Sequence, residues 1–229
     1  MVVDLWAVRH GQSTANVAFE EAARYRREDA GIPGKDADVP LSVFGRTQAA
    51  ALGRWLASLP GDSRPEVAYE SPYWRAHQTL KIMMEESRLA PGVPVEVRVD
   101  ERLRDRETGI LELLTPAAIA RRYPAEADRR QRIGEVFYRP PGGESMLDVA
   151  HRTRSFLNDL DAEPARGVLV VGHDATVLMM RAVNDGLDET ALVELMARVV
   201  VANASVSHWH RDDGRWARRS FSTVAHLPE

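Results

Sequence analysis

The sequence predicts an α/β protein, a three-layer α/β/α sandwich around a mostly parallel sheet, and three observations carry that expectation. Short apolar runs at 2–8 (VVDLWAV), 66–71 (EVAYES), 93–99 (VPVEVRV) and 167–172 (GVLVVG) have the length and composition of strands. Stretches with apolar residues at helical spacing separate them, so strands and helices alternate along the chain. The run at 167–172 is apolar without interruption, as in a central strand covered on both faces. The 229 residues can bury a sizeable core and suit one domain over 1–229, with no repeat or low-complexity linker to divide them.

The first run stops at a charged, glycine-containing turn, Arg9-His10-Gly11-Gln12-Ser13. From Asn16 to about Asp38 the chain is polar; its middle (VAFEEAARYRRED) is compatible with a helix, and the whole is expected to be a mobile lid or insertion. An alanine-rich helix then runs to about Ser58, with Ser42 as N-cap and Val43, Ala50, Leu52, Leu56 and Leu59 spaced as an apolar face. After the second strand Pro72 opens a helix, which puts Arg75 in its first turn.

The third strand leads into the acidic stretch around Asp105 and Glu107. A short helix over 115–123 has Thr115 as cap and Pro116 at its first position. The basic run Arg121, Arg122, Arg129, Arg130 and Arg132 is read either as a solvated face paired with Glu126 and Asp128 or as a source of charge for a substrate. The turn Arg139-Pro140-Pro141-Gly142-Gly143-Glu144-Ser145 precedes a helix over 146–161 capped by Glu144 or Ser145. Helices over 177–185 and 189–198 follow the central strand, then a hairpin of 204–210 and 215–222 turning at Asp212-Asp213-Gly214. His208 and His210 share a face of that hairpin; two ligands without a third make a poor metal site, so both are read as structural.

Composition removes several classes of function. A net charge of −4 argues against a general nucleic-acid binder. With no cysteine there is no disulfide, thiolate nucleophile or cysteine-bound zinc. No run approaches the roughly 20 apolar residues that cross a bilayer, and no signal peptide is visible, so a cytoplasmic enzyme is expected.

Chemistry concentrates at strand ends. Open α/β sheets bind ligands beyond the carboxyl ends of their strands. Arg9 and His10 stand at the end of the first strand, and His173 holds the same place on the strand 167–172. An arginine fork matches phosphate oxygens, and a histidine can attack or carry a proton near neutral pH. Arg75, beside the backbone N–H groups of a helix N-terminus, adds a second anion site. Gly11 would let the backbone approach a ligand, and Ser13 and Asn16 add short polar groups.

The strings RHGQSTAN (9–16), SPYWRAHQT (71–79), LRDRETG (103–109) and VVGHDA (170–175), in that order, resemble the signatures of the histidine phosphatase superfamily, in its phosphoglycerate mutase-like branch. The likeness spans nearly the whole chain. It implies that His10 is a nucleophile that becomes phosphohistidine, with Arg9, Arg75 and His173 holding the phosphoryl oxygens. It also implies a general acid two residues after Leu103 and four before Gly109, which is Asp105; the family usually has glutamate there. Alternation alone leaves Glu107 equally placed, on the same side as Asp105. The Arg139 to Ser145 turn, with Glu144 and Ser145, is expected beside the substrate.

The activity so implied is metal-independent, cofactor-free hydrolysis of small phosphomonoesters. A phosphoglycerate mutase is the alternative, disfavoured by the long insertion after Asn16, and a non-catalytic phospholigand-binding domain comes third. Partners are restricted to a small phosphorylated substrate, without nucleic acid or membrane, and a homodimer is expected only at family level.

Overall fold

The structure is a computed structural model that describes residues 1–87 and 96–228. In chain order the elements are β1 (Asp4–Arg9), α1 (Thr14–Arg24), α2 (Val43–Ser58), β2 (Val67–Glu70), α3 (Trp74–Ser87), β3 (Glu96–Val99), α4 (Pro116–Arg122) and α5 (Pro124–Ile133). Then come α6 (Met146–Asp159), β4 (Gly167–Gly172), α7 (Asp174–Asn184), α8 (Glu189–Arg198), β5 (Val206–Asp212) and β6 (Arg215–Thr223). The strands form one six-stranded sheet in the order β3-β2-β4-β1-β5-β6. The first four are parallel, and β5 and β6 close the far edge antiparallel. This is the expected mostly parallel α/β architecture. Residues 93–95, read as the start of the third strand, lie outside the described residues.

Alternation along the strands builds the two faces. Leu5, Ala7, Val168 and Val170 pack with α6, α7 and α8 side chains such as Phe156, Met179 and Leu195. Their neighbours Trp6, Val8, Leu169 and Val171 face the other way, onto Leu52 and Leu56 of α2 and Leu80 and Met83 of α3. All six residues of β4 are buried, as the apolar run required. Truncating one of them, such as Leu169, would cost about 2–5 kcal/mol through lost transfer energy and a residual cavity.

Several local expectations appear with small differences. Ser42 caps α2 through the Gly45 N–H, Thr115 caps α4 with Pro116 inside its first turn, and α3 starts at Trp74, two residues after Pro72. Val43 is exposed rather than apolar-face core, because it is the first residue of α2 and overhangs its end. The hairpin turns at Asp213 and Gly214, both with positive φ (47° and 77°), the geometry of a tight two-residue turn. His208 and His210 both face the Asp4 carboxylate, each 2.8 Å from Oδ1, and His208 also stacks on Trp6. They join β5 to β1.

The segment expected to be a mobile lid is tied down. It begins as α1, with Ser13 and Asn16 forming a reciprocal capping box. Further on, Arg121 and Arg122 of α4 pair with Glu28 and Asp29, and the Thr115 hydroxyl donates to the Glu28 carbonyl. A 3-10 turn at Asp36–Asp38 follows. Two members of the basic run therefore act as fasteners, while Arg129 pairs with Glu126 and Arg130 with Glu135. Among the described residues no helix is long and apolar enough to cross a membrane.

Candidate active site

Pairing β1 with β4 in parallel register sets Arg9 opposite Gly172. The next residues, His10 and His173, therefore leave the sheet side by side, with ring centroids 5.1 Å apart and nearly edge to face. The His10 N–H donates to the Gly172 carbonyl at 2.9 Å, which fixes the first loop residue. Beyond lies a cavity of about 500 Å³ whose lining includes Arg9, His10, Ser13, Asn16, Arg75 and Asp105.

The hydrogen bonds around His10 assign its proton. Nδ1 lies 2.7 Å from the Gly11 carbonyl oxygen, which can only accept, so Nδ1 carries hydrogen and Nε2 keeps its lone pair. Burial pushes the ring's pKa well below its ordinary value, and His173, Arg75 and Arg9 push in the same direction. His10 is thus a neutral imidazole with its basic nitrogen unprotonated.

Arg75 is buried in the first turn of α3, with its guanidinium 5.0 Å from the Tyr73 ring centre. Its Nη2 donates to Asp105 Oδ2 at 2.8 Å. Asp36 takes the other Nη donors: Nη1 donates to its carbonyl at 2.6 Å and to Oδ1 at 3.0 Å, and Nη2 to Oδ2 at 2.9 Å. Arg9 donates to the Val201 carbonyl at 2.5 Å and faces Asp174 at 3.5 Å, leaving its Nε without a partner among the described residues. The other two lining cations, Arg106 and Arg130, share Glu135. Each cation of the lining is thus matched by a carboxylate.

Asp105 faces both Arg75 and His173, whose Nδ1 is 3.2 Å away. Burial alone would raise the carboxyl's pKa, but His173 and Arg75 outweigh it and hold the group well below its usual range. The His173 ring is lowered chiefly by burial, with Asp105 opposing. The pair is a carboxylate against a neutral imidazole. The Asp105 carboxylate facing Nδ1 keeps the His173 ring proton on that nitrogen, so Nε2 accepts from the Ser71 hydroxyl 2.8 Å away, whose oxygen in turn accepts the Tyr73 N–H at 3.2 Å.

The predicted residues do not all reach the cavity. His173 contributes no lining surface; it is fully buried behind His10. Gly11 is outside as well, and its bareness serves packing: a Cβ there would sit 2.5 Å from the Gly45 carbonyl oxygen of α2. Glu107 turns out toward solvent and pairs with Arg104 at 3.3 Å. Arg139 lies on the surface against Asp148. Ser145 is spent as the N-cap of α6. Glu144 is buried and consumed by Arg104 at 2.7 Å, by Arg152 at 2.9 and 3.0 Å and by the Glu107 N–H at 3.1 Å. Asn16 does line the cavity. Its oxygen is engaged by the Ser13 backbone and by Asn203, so its amide N–H groups are what it can offer a ligand.

Two participants went unnoticed in the sequence. Ser71 had a usable signal, since it ends β2 as His10 ends β1. Asp36 had none.

The chain matches the histidine phosphatase superfamily (branch 1) over residues 5–223. It is 31% identical, over 92% of this chain and 87% of the other, to a 2,3-bisphosphoglycerate-dependent phosphoglycerate mutase of Gloeobacter violaceus. It is 30% identical, over 92% and 85%, to a glucosyl-3-phosphoglycerate phosphatase of Mycobacterium tuberculosis. A mycobacterial glucosyl-3-phosphoglycerate phosphatase solved with VO3 superposes with a TM-score of 0.74 at 28% identity, covering 97% of this chain and 100% of that one. An α-ribazole phosphatase from Shigella flexneri shares the fold, with a TM-score of 0.75 at 19% identity over 96% of each chain.

Proposed function

This chain belongs to the histidine phosphatase superfamily, and on that premise we propose that it hydrolyses small phosphomonoesters through a phosphohistidine on His10. The observation that carries the reading is the His10 tautomer: Nδ1 is committed to the Gly11 carbonyl, leaving Nε2 as the lone pair for attack.

A phosphoryl group entering above His10 meets Arg9 and Arg75, which neutralise its oxygens, and the Asn16 amide, which donates to them. Nε2 attacks phosphorus in line, the P–O bond to the alcohol breaks, and the leaving oxygen takes a proton from Asp105. Asp105 is ionised in the empty site. Its proton must therefore arrive with the monoanionic substrate, as Arg75 turns from the carboxylate to the phosphoryl oxygens. In the second half, water attacks the phosphohistidine, the P–N bond breaks, and the Asp105 carboxylate takes the water's proton, then returns it to the departing phosphate, which leaves as the monoanion and restores the ionised carboxylate. His173 never touches the phosphoryl group in this scheme; it orients Asp105 and packs against His10.

The charge balance of the lining favours hydrolysis over mutase chemistry. A mutase must hold a second anionic group of its substrate while the phosphoryl group transfers, and the lining cations beyond Arg9 and Arg75, Arg106 and Arg130, already answer Glu135. Incubation with 3-phosphoglycerate and with simple phosphomonoesters separates the readings. Phosphate release with acid-labile, base-stable labelling of the protein, lost in His10→Ala, is expected; isomerisation without phosphate release would establish the mutase instead. Vanadate should inhibit, and activity should persist in EDTA.

A further inference from the structure

The alcohol that carries the phosphoryl group is answered by the cavity walls rather than by its floor. Apart from the charged floor, Thr108, and the Arg106, Arg130 and Glu135 group whose charges answer one another, the lining is mostly apolar and includes Leu111, Leu113, Leu114, Ile119, Met196 and Val199. The Tyr138 hydroxyl, in the same wall, is taken by Glu126 at 2.8 Å. Leu113 has φ of +57°, a left-handed conformation that costs a leucine energy and needs its surroundings to hold it. It lies between the Glu112 N–H bonded to Gly109 and the Leu114 N–H bonded to Leu111, which hold the turn in that shape.

We propose that the substrate is the phosphomonoester of an uncharged, largely apolar alcohol, alkyl or aryl, rather than of a sugar, a polyol or an acid; this rests on the phosphatase reading above. A cavity of about 500 Å³ lies in the size range of pockets that enclose whole small ligands, so it has room well beyond the phosphoryl group. Hydroxyls of a polyol laid against the apolar side chains would lose water without gaining partners, and Arg106, Arg130 and Glu135 are already engaged with one another. A second anion would meet Glu135 and Asp174, whose carboxylates already answer Arg106, Arg130 and Arg9. An apolar chain meets neither penalty. The products are the free alcohol, which takes the proton the monoanionic ester brought, and inorganic phosphate, which gains the oxygen and hydrogens of water.

The test compares kcat/KM for ethyl, butyl and hexyl phosphate with glycerol 3-phosphate and 3-phosphoglycerate, all of which expel a primary alkoxide. Each added methylene should raise kcat/KM about fourfold until the wall is covered. Hexyl phosphate should exceed glycerol 3-phosphate by more than about tenfold. Leu114→Asn should flatten the dependence on chain length. A flat series in the native protein, or preference for glycerol 3-phosphate or 3-phosphoglycerate, overturns the assignment while leaving the phosphatase reading intact. If none of the esters releases phosphate and His10 takes no label, the phosphatase reading itself falls, and this assignment with it.

Discussion

Both carboxylate oxygens of Asp36 grip the Arg75 guanidinium, at 3.0 and 2.9 Å. A carboxylate there occupies the donors that a phosphoryl group needs, with the same bidentate geometry. Ligand and Asp36 must therefore compete for Arg75. Asp36→Ala should tighten vanadate and phosphate binding about tenfold or more, since a charge-assisted hydrogen bond is worth roughly 1.5–3 kcal/mol. Inhibition constants measure this, and weaker binding in the variant would mean that Asp36 positions Arg75 instead.

Arg75→Ala removes the buried cation at the α3 N-terminus. The loss should be about 100- to 1000-fold in kcat, the usual effect of deleting one oxyanion donor. Arg75→Lys should restore little, because an ammonium cannot supply two parallel donors. Steady-state kinetics of both variants settle the point.

The two central titrations predict an acid-shifted profile. His10 must be neutral to attack, and burial lowers its pKa well below 6.5, so the nucleophile survives mild acid. Asp105 is ionised in the empty enzyme, so the proton must come with a substrate whose second phosphate pKa is about 6. For alkyl esters kcat/KM should decline as pH rises through about 6. An optimum on the alkaline side of neutrality would rule out this proton route.

Asp105→Asn should slow alkyl phosphates severely and p-nitrophenyl phosphate far less, because nitrophenolate hardly needs a proton. Should Glu107→Gln show that dependence on the leaving group while Asp105→Asn does not, the acid is Glu107, despite its outward position.

Gly45→Ala tests how the nucleophile's loop is seated. A Cβ on Gly45 would lie 1.9 Å from the Gln12 carbonyl oxygen, so the loop after His10 must move. Misplacing a reacting group by about 1 Å costs on the order of 100-fold in rate. Activity should fall by that order while thermal melting shows the sheet still folded; native-like kinetics would show that the loop tolerates the shift.

Much of this fold and the floor of its site could be read from residue patterns, because both follow from local rules. Apolar runs of strand length set the sheet, and strand ends carry Arg9, His10 and His173. What failed was long-range pairing. Asp36 reaches Arg75 from 39 positions away, through a polar segment whose composition announces nothing. The alternation argument around Asp105 failed for another reason. Past the 3-10 turn at Glu101–Leu103 the chain is not a strand, so Arg104 and Arg106 turn to Glu144 and Glu135 rather than to an opposite face. Glu144 and Arg139 sit in the stretch the resemblance indicated, yet their charges were already claimed by neighbours no pattern reveals.

The floor and walls of the cavity come from different parts of the chain. The nucleophile and the cations beside it, Arg9 and Arg75, hang from a strand end and the first turn of α3. The apolar walls hang from residues 111–119 and from 196–201 at the end of α8 and the segment after it. Chemistry and the choice of alcohol thus rest on separate segments of the chain. Exchanging the walls with those of another family member should transplant the choice of alcohol while the phosphohistidine machinery stays in place.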